Sequence, residues 1–518
     1  MIAKRIIKNT SYNAIGRVWF ILVNFLLTPL ILSYLGDQRF ALWVLFWTFA
    51  SWFSFMDMGL AASVIRDVAG YSLEDDAEEI NKTLCSSLAF NFIVGLLVLL
   101  LVWGTADWLV SILHVSEALQ GDALALAYIG PIAFMLLGMM SIFDAFLRGL
   151  QRYGLIVIAS LIVSFINVLT VWLVLYYGYG IYGLVASACL VYLIQLGLLL
   201  WFSRQAFAHL SLRFSYVSLA KIRQMLPFGL HVQIARLAEL ASYQTDKIIL
   251  AVLTPLYFVT SYELGSKIAS LLSAFSALLM AAIFPSVSQM HANKDSARIW
   301  IMYERGSKYL WMASTPLFLG LCLVAPLIIE LWLGYVSPDV YQALMILALG
   351  YWSTVNVAVL YNIGFGIGWS KPVMYISLLQ AVSNVALSWI LASTIGFVGV
   401  LYGTSITLMA TSALLYFRFS YDFDRVKRRD FWMFARVLSA NVPPALACLG
   451  YLYASGHLVL DMAAESRATV IAPLLICVAI YGSVYLISIR LARLLDRTDL
   501  EWLGAYCPAL IRKYLFLH

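Results

Sequence analysis

Some charged side chains fall well inside long apolar stretches of this sequence, among them the eight Arg17, Asp57, Arg236, Glu239, Asp246, Lys247, Glu263 and Lys267. A guanidinium offers planar paired donors to a phosphate and an ammonium offers a point charge. Arg17, Arg236 and Lys267 are therefore the groups that would hold an anionic, phosphate-bearing substrate. The carboxylates Glu239, Asp246 and Glu263 would take up a proton or a sodium ion, and the residues do not say which. A charge at the centre of a bilayer costs roughly 2.5–3.5 kcal/mol, so eight facing lipid would outweigh the roughly 5–15 kcal/mol that holds a typical domain together. They must face protein or water. The alternative is that the four positive and four negative charges only pair and lock helices together, and for Asp57, near a span end, both readings stand open.

The elements that must position these groups are membrane helices. Of the 518 residues, 63% are hydrophobic and 12% charged, against about half and a quarter in soluble domains. Windows long enough to cross a bilayer place helices near 11–34, 40–64, 83–103, 123–147, 154–177 and 181–203. A second series lies near 225–251, 257–289, 307–331, 341–366, 372–392 and 397–417, with two more near 431–454 and 468–488. The fold class is thus all-α and polytopic, with about fourteen spans. The run from Ser11 to Tyr34 is too long for a signal-peptide core and reads as a retained first helix. Cys85, Cys189, Cys322, Cys448, Cys477 and Cys507 show no CxxC spacing, which predicts neither disulfides nor a zinc site. No catalytic residues, metal ligands or cofactor are expected.

Loop charge orients the layout. With the N-terminus inside, cytoplasmic segments hold 26 of the 33 Lys and Arg, and the exported loops hold only Arg39 and Arg467. Both termini should therefore be cytoplasmic. The net charge of +6 follows from this topology and implies no nucleic acid. The cluster Arg425, Lys427, Arg428 and Arg429 reads as a stop-transfer flank, with anionic headgroups as the alternative partner. From Arg490 onward the tail is mixed apolar and basic and should lie along the membrane surface.

A shift of 218 residues sets Ile31–Leu35 over Ile249–Leu253, and a shift of 219 sets Gly149–Arg152 over Gly368–Lys371. Two matches at nearly one offset predict duplicated six-helix halves in the same orientation, with a site between them. The expected divisions are an N-terminal lobe 1–205, a C-terminal lobe 206–420, and 421–518 with two further helices and a cytoplasmic tail.

Helical spacing gathers the charges into stripes. Asn13, Arg17, Asn24 and Thr28 fall within about 60° on helix one, and Glu263, Ser266, Lys267, Ser270 and Ser273 within about 120° on helix eight. Helix seven carries Arg236, Glu239, Tyr243, Asp246 and Lys247 on one broad side, and helix two carries Ser51, Ser54 and Asp57 beside Trp43 and Trp47. The expected substrate cavity comprises Arg17, Asn24, Asp57, Arg236, Glu239, Tyr243 and Lys267, with Glu239, Asp246 and Glu263 as ion-coupling groups. Trp43, Trp47, Trp52 and Tyr243 have the chemistry to stack on sugar rings, although packing and interface anchoring are the commoner roles for such residues. His231 reads as a packing residue. Pro131, Pro285, Pro316, Pro326, Pro443, Pro444 and Pro473 lie inside the expected spans, where they free backbone groups and permit bends.

Several runs carry a family resemblance: Ser11-Tyr12-Asn13 to Leu35-Gly36, Asp57-Met-Gly-Leu-Ala-Ala-Ser-Val-Ile-Arg66, Leu147-Arg-Gly-Leu-Gln-Arg-Tyr-Gly154 and Thr245-Asp-Lys-Ile-Ile-Leu250. Over about residues 1–420 they resemble the Wzx-type polysaccharide flippases of the multidrug/oligosaccharidyl-lipid/polysaccharide (MOP) exporter superfamily. The resemblance implies a MATE-like fold, two six-helix lobes in a V that open alternately to either side of the bacterial inner membrane, with helices one, two, seven and eight lining the cavity. It also implies a polyprenyl-diphosphate-linked oligosaccharide as substrate, with membrane lipids and polysaccharide polymerase or assembly proteins as partners. The rivals are a multidrug exporter, favoured by an acidic cavity, and a lipid II flippase, favoured by more clustered cations. A membrane sugar polymerase or ligase would need a large external loop, whereas the exported loops are about 4 to 20 residues long.

Overall fold

The computed structural model describes residues 2–71, 76–113, 115–280, 283–423, 428–456, 467–496 and 499, and every element among them is helical. The side chains of Asn13, Arg17, His231, Arg236, Glu239, Pro285, Arg425, Lys427, Arg428, Arg429 and Cys507 lie outside the described residues, as does the tail from 500 onward. The chain divides into two compact units, Met1–Thr260 with Ala392–Phe397, and Ser261–Leu391 with Val398–His518.

The first unit opens with α1 (Ile2–Phe53), interrupted at Gly36 by φ 71 and ψ 169. Only glycine enters that conformation freely, and it falls where the sequence places the turn between the first two spans. A 3-10 turn (Ser54–Asp57) leads into α2 (Leu60–Gly70), followed by α3 (Ala77–Ile112), α4 (Glu117–Gly149), α5 (Tyr153–Tyr176), α6 (Gly180–Ala206) and α7 (Leu219–Leu253). Helix α4 packs on α2, α3 and α6, while α7 packs on α1, α2 and α3. Where α2, α3 and α4 meet, Leu60, Val64, Ile80, Leu84, Phe146 and Leu147 are completely buried. Lipid tails are as apolar as leucine, so within a bilayer the gain comes from packing rather than from escape from water.

The remaining helices are α8 (Tyr257–Met280), α9 (Ile283–Ala292), α10 (Ser296–Leu323), α11 (Ala325–Leu333), α12 (Pro338–Asn356) and α13 (Ala358–Gly366). After them come α14 (Ser370–Ile395), α15 (Phe397–Phe423), α16 (Arg428–Ala440), α17 (Val442–Ala454) and α18 (Arg467–Leu491). Proline decides two of the breaks. Pro326 opens α11 after a 70° bend from α10, and Pro443 and Pro444 open α17. At a first turn the missing N–H costs nothing. Pro131, Pro316 and Pro473 instead sit within continuous helices.

Each of the fourteen sequence-derived segments lies on one helix or runs over two. By length and apolarity alone, ten described helices qualify as membrane crossings, or eleven with the bent pair α10–α11 taken as one. That count takes α1 as a single helix and is made over the described residues alone.

Candidate functional site

Asp57 ends the 3-10 turn, and the next two residues turn left-handed, Met58 at φ 48 and Gly59 at φ 74. The Gly59 N–H donates to Asp57 Oδ1 at 2.7 Å, closing the turn through the side chain. From α7, Gln233 Nε2 donates to the same oxygen at 2.7 Å and to the Phe55 carbonyl at 3.2 Å. Asp57 is only 6% exposed. Below it the two helices touch backbone to backbone: a Cβ on Gly59 would lie 2.1 Å from the Gly229 carbonyl oxygen. Ser63 Oγ donates to the Met225 carbonyl at 2.8 Å, and the Arg66 guanidinium sits 4.4 Å over the Phe228 ring. At the foot of this seam Lys221 is buried. Burial opposes its charge, but the Tyr71 hydroxyl at 2.5 Å, with Asp67 and Glu79 nearby, outweighs that and raises its pKa above the ordinary lysine value.

Behind Asp57 lies a cavity of about 470 Å³ enclosed by the end of α1, the 3-10 turn, α2, α3 and α4. Its polar wall carries Asp57, Asn91, Ser141, Asp144 and Arg148, and its apolar wall Phe53, Val94, Phe134 and Met135. Asp144 and Arg148, one turn apart on α4, form an ion pair. Phe53 and Phe134 pack with ring centroids 4.9 Å apart. Trp43 stacks 5.3 Å from Phe46, and Trp47 stands edge-on to Tyr192 at 6.3 Å.

The expected site residues other than Asp57 fall into four groups. Arg17 lies on α1, and Arg236 and Glu239 on α7, with side chains outside the described residues. Asn24 spends its amide on the Phe20 carbonyl at 2.9 Å, and Thr28 donates to the Asn24 carbonyl at 2.7 Å, so this polar stripe closes partly on its own helix. Tyr243 is half-buried on α7, Asp246 is fully buried, and Lys247 donates to Gln244 at 3.1 Å. On α8 the ion-coupling candidate Glu263 and the cationic candidate Lys267 are paired at 3.5 Å, both largely buried.

Three features lie outside the expected site. Gln233 is one of them, though its i+4 relation to Gly229 puts both on the face that meets α2. The Asp144–Arg148 pair was legible as an i, i+4 spacing. A third feature lies between α14 and α15, where Gly403 packs on Ser388 and Thr411 donates to Gln380 at 3.2 Å. One helical turn from each contact, the antiparallel register sets Asn384 opposite Thr407. Asn384 and Ser388 are completely buried and Thr407 nearly so, and neither amide atom and neither hydroxyl finds a hydrogen-bond partner among the described residues.

Two solved structures share this fold. A lipid II flippase, MurJ, in an inward closed conformation matches with TM-score 0.71 and 14% identity, over 92% of this chain and 98% of that one. A multidrug resistance MATE family transporter of the MOP superfamily, inward-facing, matches with TM-score 0.69 and 16% identity, over 80% of this chain and 99% of that one. A Shigella flexneri protein named as an O-antigen transporter is 20% identical over 411 residues, covering 79% of this chain and 96% of its own. The class is therefore an all-helical, multi-pass membrane fold of the kind these proteins share. Within that class, the chain belongs to the polysaccharide biosynthesis protein family, whose model matches residues 6–291.

Proposed function

We propose that the chain flips a polyprenyl-diphosphate-linked oligosaccharide, the repeat unit of an O-antigen, capsule or exopolysaccharide, across the bacterial inner membrane by alternating access. Both termini are cytoplasmic in this reading. The observation that carries it is the burial of ionisable groups on α7 and α8, namely fully buried Asp246 and the Glu263–Lys267 pair, in a chain of the polysaccharide family. Ionisable groups at membrane depth mark substrate or ion pathways. Arg17, Arg236 and Lys267 are assigned to the diphosphate, Asn24, Glu239 and Tyr243 to the polar wall that passes the sugar, and Glu239, Asp246 and Glu263 to coupling by H+ or Na+. Asp57 belongs to the same polar set at its edge. Lys267 reaches the diphosphate on exchanging its Glu263 partner for phosphate, which frees that carboxylate for the coupling ion.

The test is flipping of a fluorescent polyprenyl-diphosphate oligosaccharide in proteoliposomes, comparing the parent chain with Arg17→Ala, Arg236→Ala and Lys267→Ala at matched insertion. The parent should flip, and each variant should lose at least about tenfold, the effect of removing one charged contact worth about 1.4 kcal/mol. A parent chain inert to such lipids that moves a small organic cation down an ion gradient would replace this reading with a multidrug exporter.

A further inference from the structure

Asp57 stands between two environments. Toward α7 its carboxylate is held by Gln233, and on the other side it lines the 470 Å³ cavity together with Asn91, Ser141, Asp144 and Arg148. The cavity gives the carboxylate somewhere to go. At the glycine crossing the contact with α7 is backbone on backbone, while to the side of it Met225 packs among Leu60 and Val64. The polar bonds of that contact include Gln233 to Asp57 and Phe55, Ser63 to Met225 and, at its foot, Lys221 to Tyr71. Pro227 lies between the contact points Met225 and Gly229 and has no N–H for the α7 ladder, so the helix can flex there. Met58 holds a left-handed conformation costly for a residue with a side chain. That strain is retained while Asp57 caps the turn.

We propose that Gln233 and Asp57 form a releasable clasp, with Gln233 as a positioning residue for transport. Closed, Gln233 fixes the carboxylate and holds the first half of α7 against α2. Open, α7 parts from α2 at Gly59 and Gly229, and the Asp57 carboxylate turns into the cavity toward the Arg148 guanidinium. The element then has two discrete arrangements with different partners for one charge, which is what a switch requires. The purpose of the opening, admission of substrate, rests on the transport reading. The clasp itself is testable without substrate.

The experiment uses the full chain in proteoliposomes carrying Ser63→Cys, a position completely buried at the seam. A water-soluble maleimide reports parting of α2 from α7, with labelling resolved by residue in a mass spectrometer. Buried Cys448 and Cys477 of the second unit are the folding controls. Gln233→Glu sets a second carboxylate against Asp57 and should raise labelling at position 63 by about tenfold or more, with both controls unchanged. Adding Asp57→Asn exchanges the amide and carboxylate and should return labelling to within about twofold of the reporter alone. Unchanged labelling in Gln233→Glu would make the contact a fixed one and overturn the clasp. Parallel labelling of Cys448 and Cys477 would mean unfolding, which also overturns it by making Gln233 merely structural. Opening in this assay without any flipping of lipid-linked sugars would keep the clasp and remove the substrate reading.

Discussion

The chain buries polar groups in two opposite ways. At the α2–α7 seam of the first unit, Asp57 is 6% exposed and takes hydrogen bonds from the Gly59 N–H and Gln233. Between α14 and α15 of the second unit, Asn384 is completely buried with neither amide atom bonded among the described residues, and Ser388 and Thr407 are in the same condition. A buried carboxylate held by two donors fixes one geometry and is expensive to break by removing a single partner. An unsatisfied buried group already bears the desolvation cost and has little left to lose. The seam therefore specifies a contact, while the α14–α15 layer holds open hydrogen-bonding capacity of the kind that ordered water takes up.

Substitutions at the seam should show the larger effects. Gly59→Ala places a Cβ 2.1 Å from the Gly229 carbonyl oxygen at a residue with φ 74. Overpacking of about 1–3 kcal/mol adds to about 1–2 kcal/mol for a left-handed side-chain-bearing residue. The variant should be recovered poorly in detergent or melt far below the parent, and a parent-like melt would mean the crossing is looser than drawn. Gln233→Leu ranks next. It removes one donor to Asp57 and should cost about 1–3 kcal/mol, read as a lower melting temperature. A loss well below that range would sharpen the contrast, because it would mean that Asp57 has found its second partner in the cavity.

Much of the fold was legible because a bilayer enforces it. Backbone groups in lipid must bond internally, so long apolar runs become helices, and the segments read near 83–103, 123–147, 154–177 and 181–203 each fall within one helix, α3 to α6. Breaks were less legible. Proline marked Pro326 and Pro443, but the breaks after Asn356 and after Phe53 carry no proline. The expected site was read from charges in apolar runs and from the polar stripes beside them, which added Asn24 and Tyr243. Glu263 and Lys267 stood out because a charge in an apolar run is conspicuous, and their i, i+4 spacing puts the two on one face, where they pair. That reading gave no hint of Gln233 or Asn384. A neutral amide is inexpensive in sequence terms, and its importance comes from what packs against it, which is tertiary information. The fully buried Asp499, bonded by Lys308 and Tyr309, was unreadable for the same reason, since its partners lie 191 and 190 residues away.

The smallest expected effect is the most discriminating for the comparison. Thr407→Val keeps shape and removes a hydroxyl that has no partner among the described residues, and Asn384→Leu does the same for an amide at a similar volume. Replacing an unbonded buried polar group by an apolar one should be neutral or stabilising, by at most about 1 kcal/mol for the threonine. Both melting temperatures should therefore equal or slightly exceed the parent's. A drop of the size expected for Gln233→Leu would mean that water or an ion bonds this layer in the membrane, and the two regions would then be alike. If stability is kept while flipping falls, the open hydrogen-bonding capacity serves transport rather than folding, and the α14–α15 layer joins α7 and α8 among the parts that act on the substrate or the coupling ion.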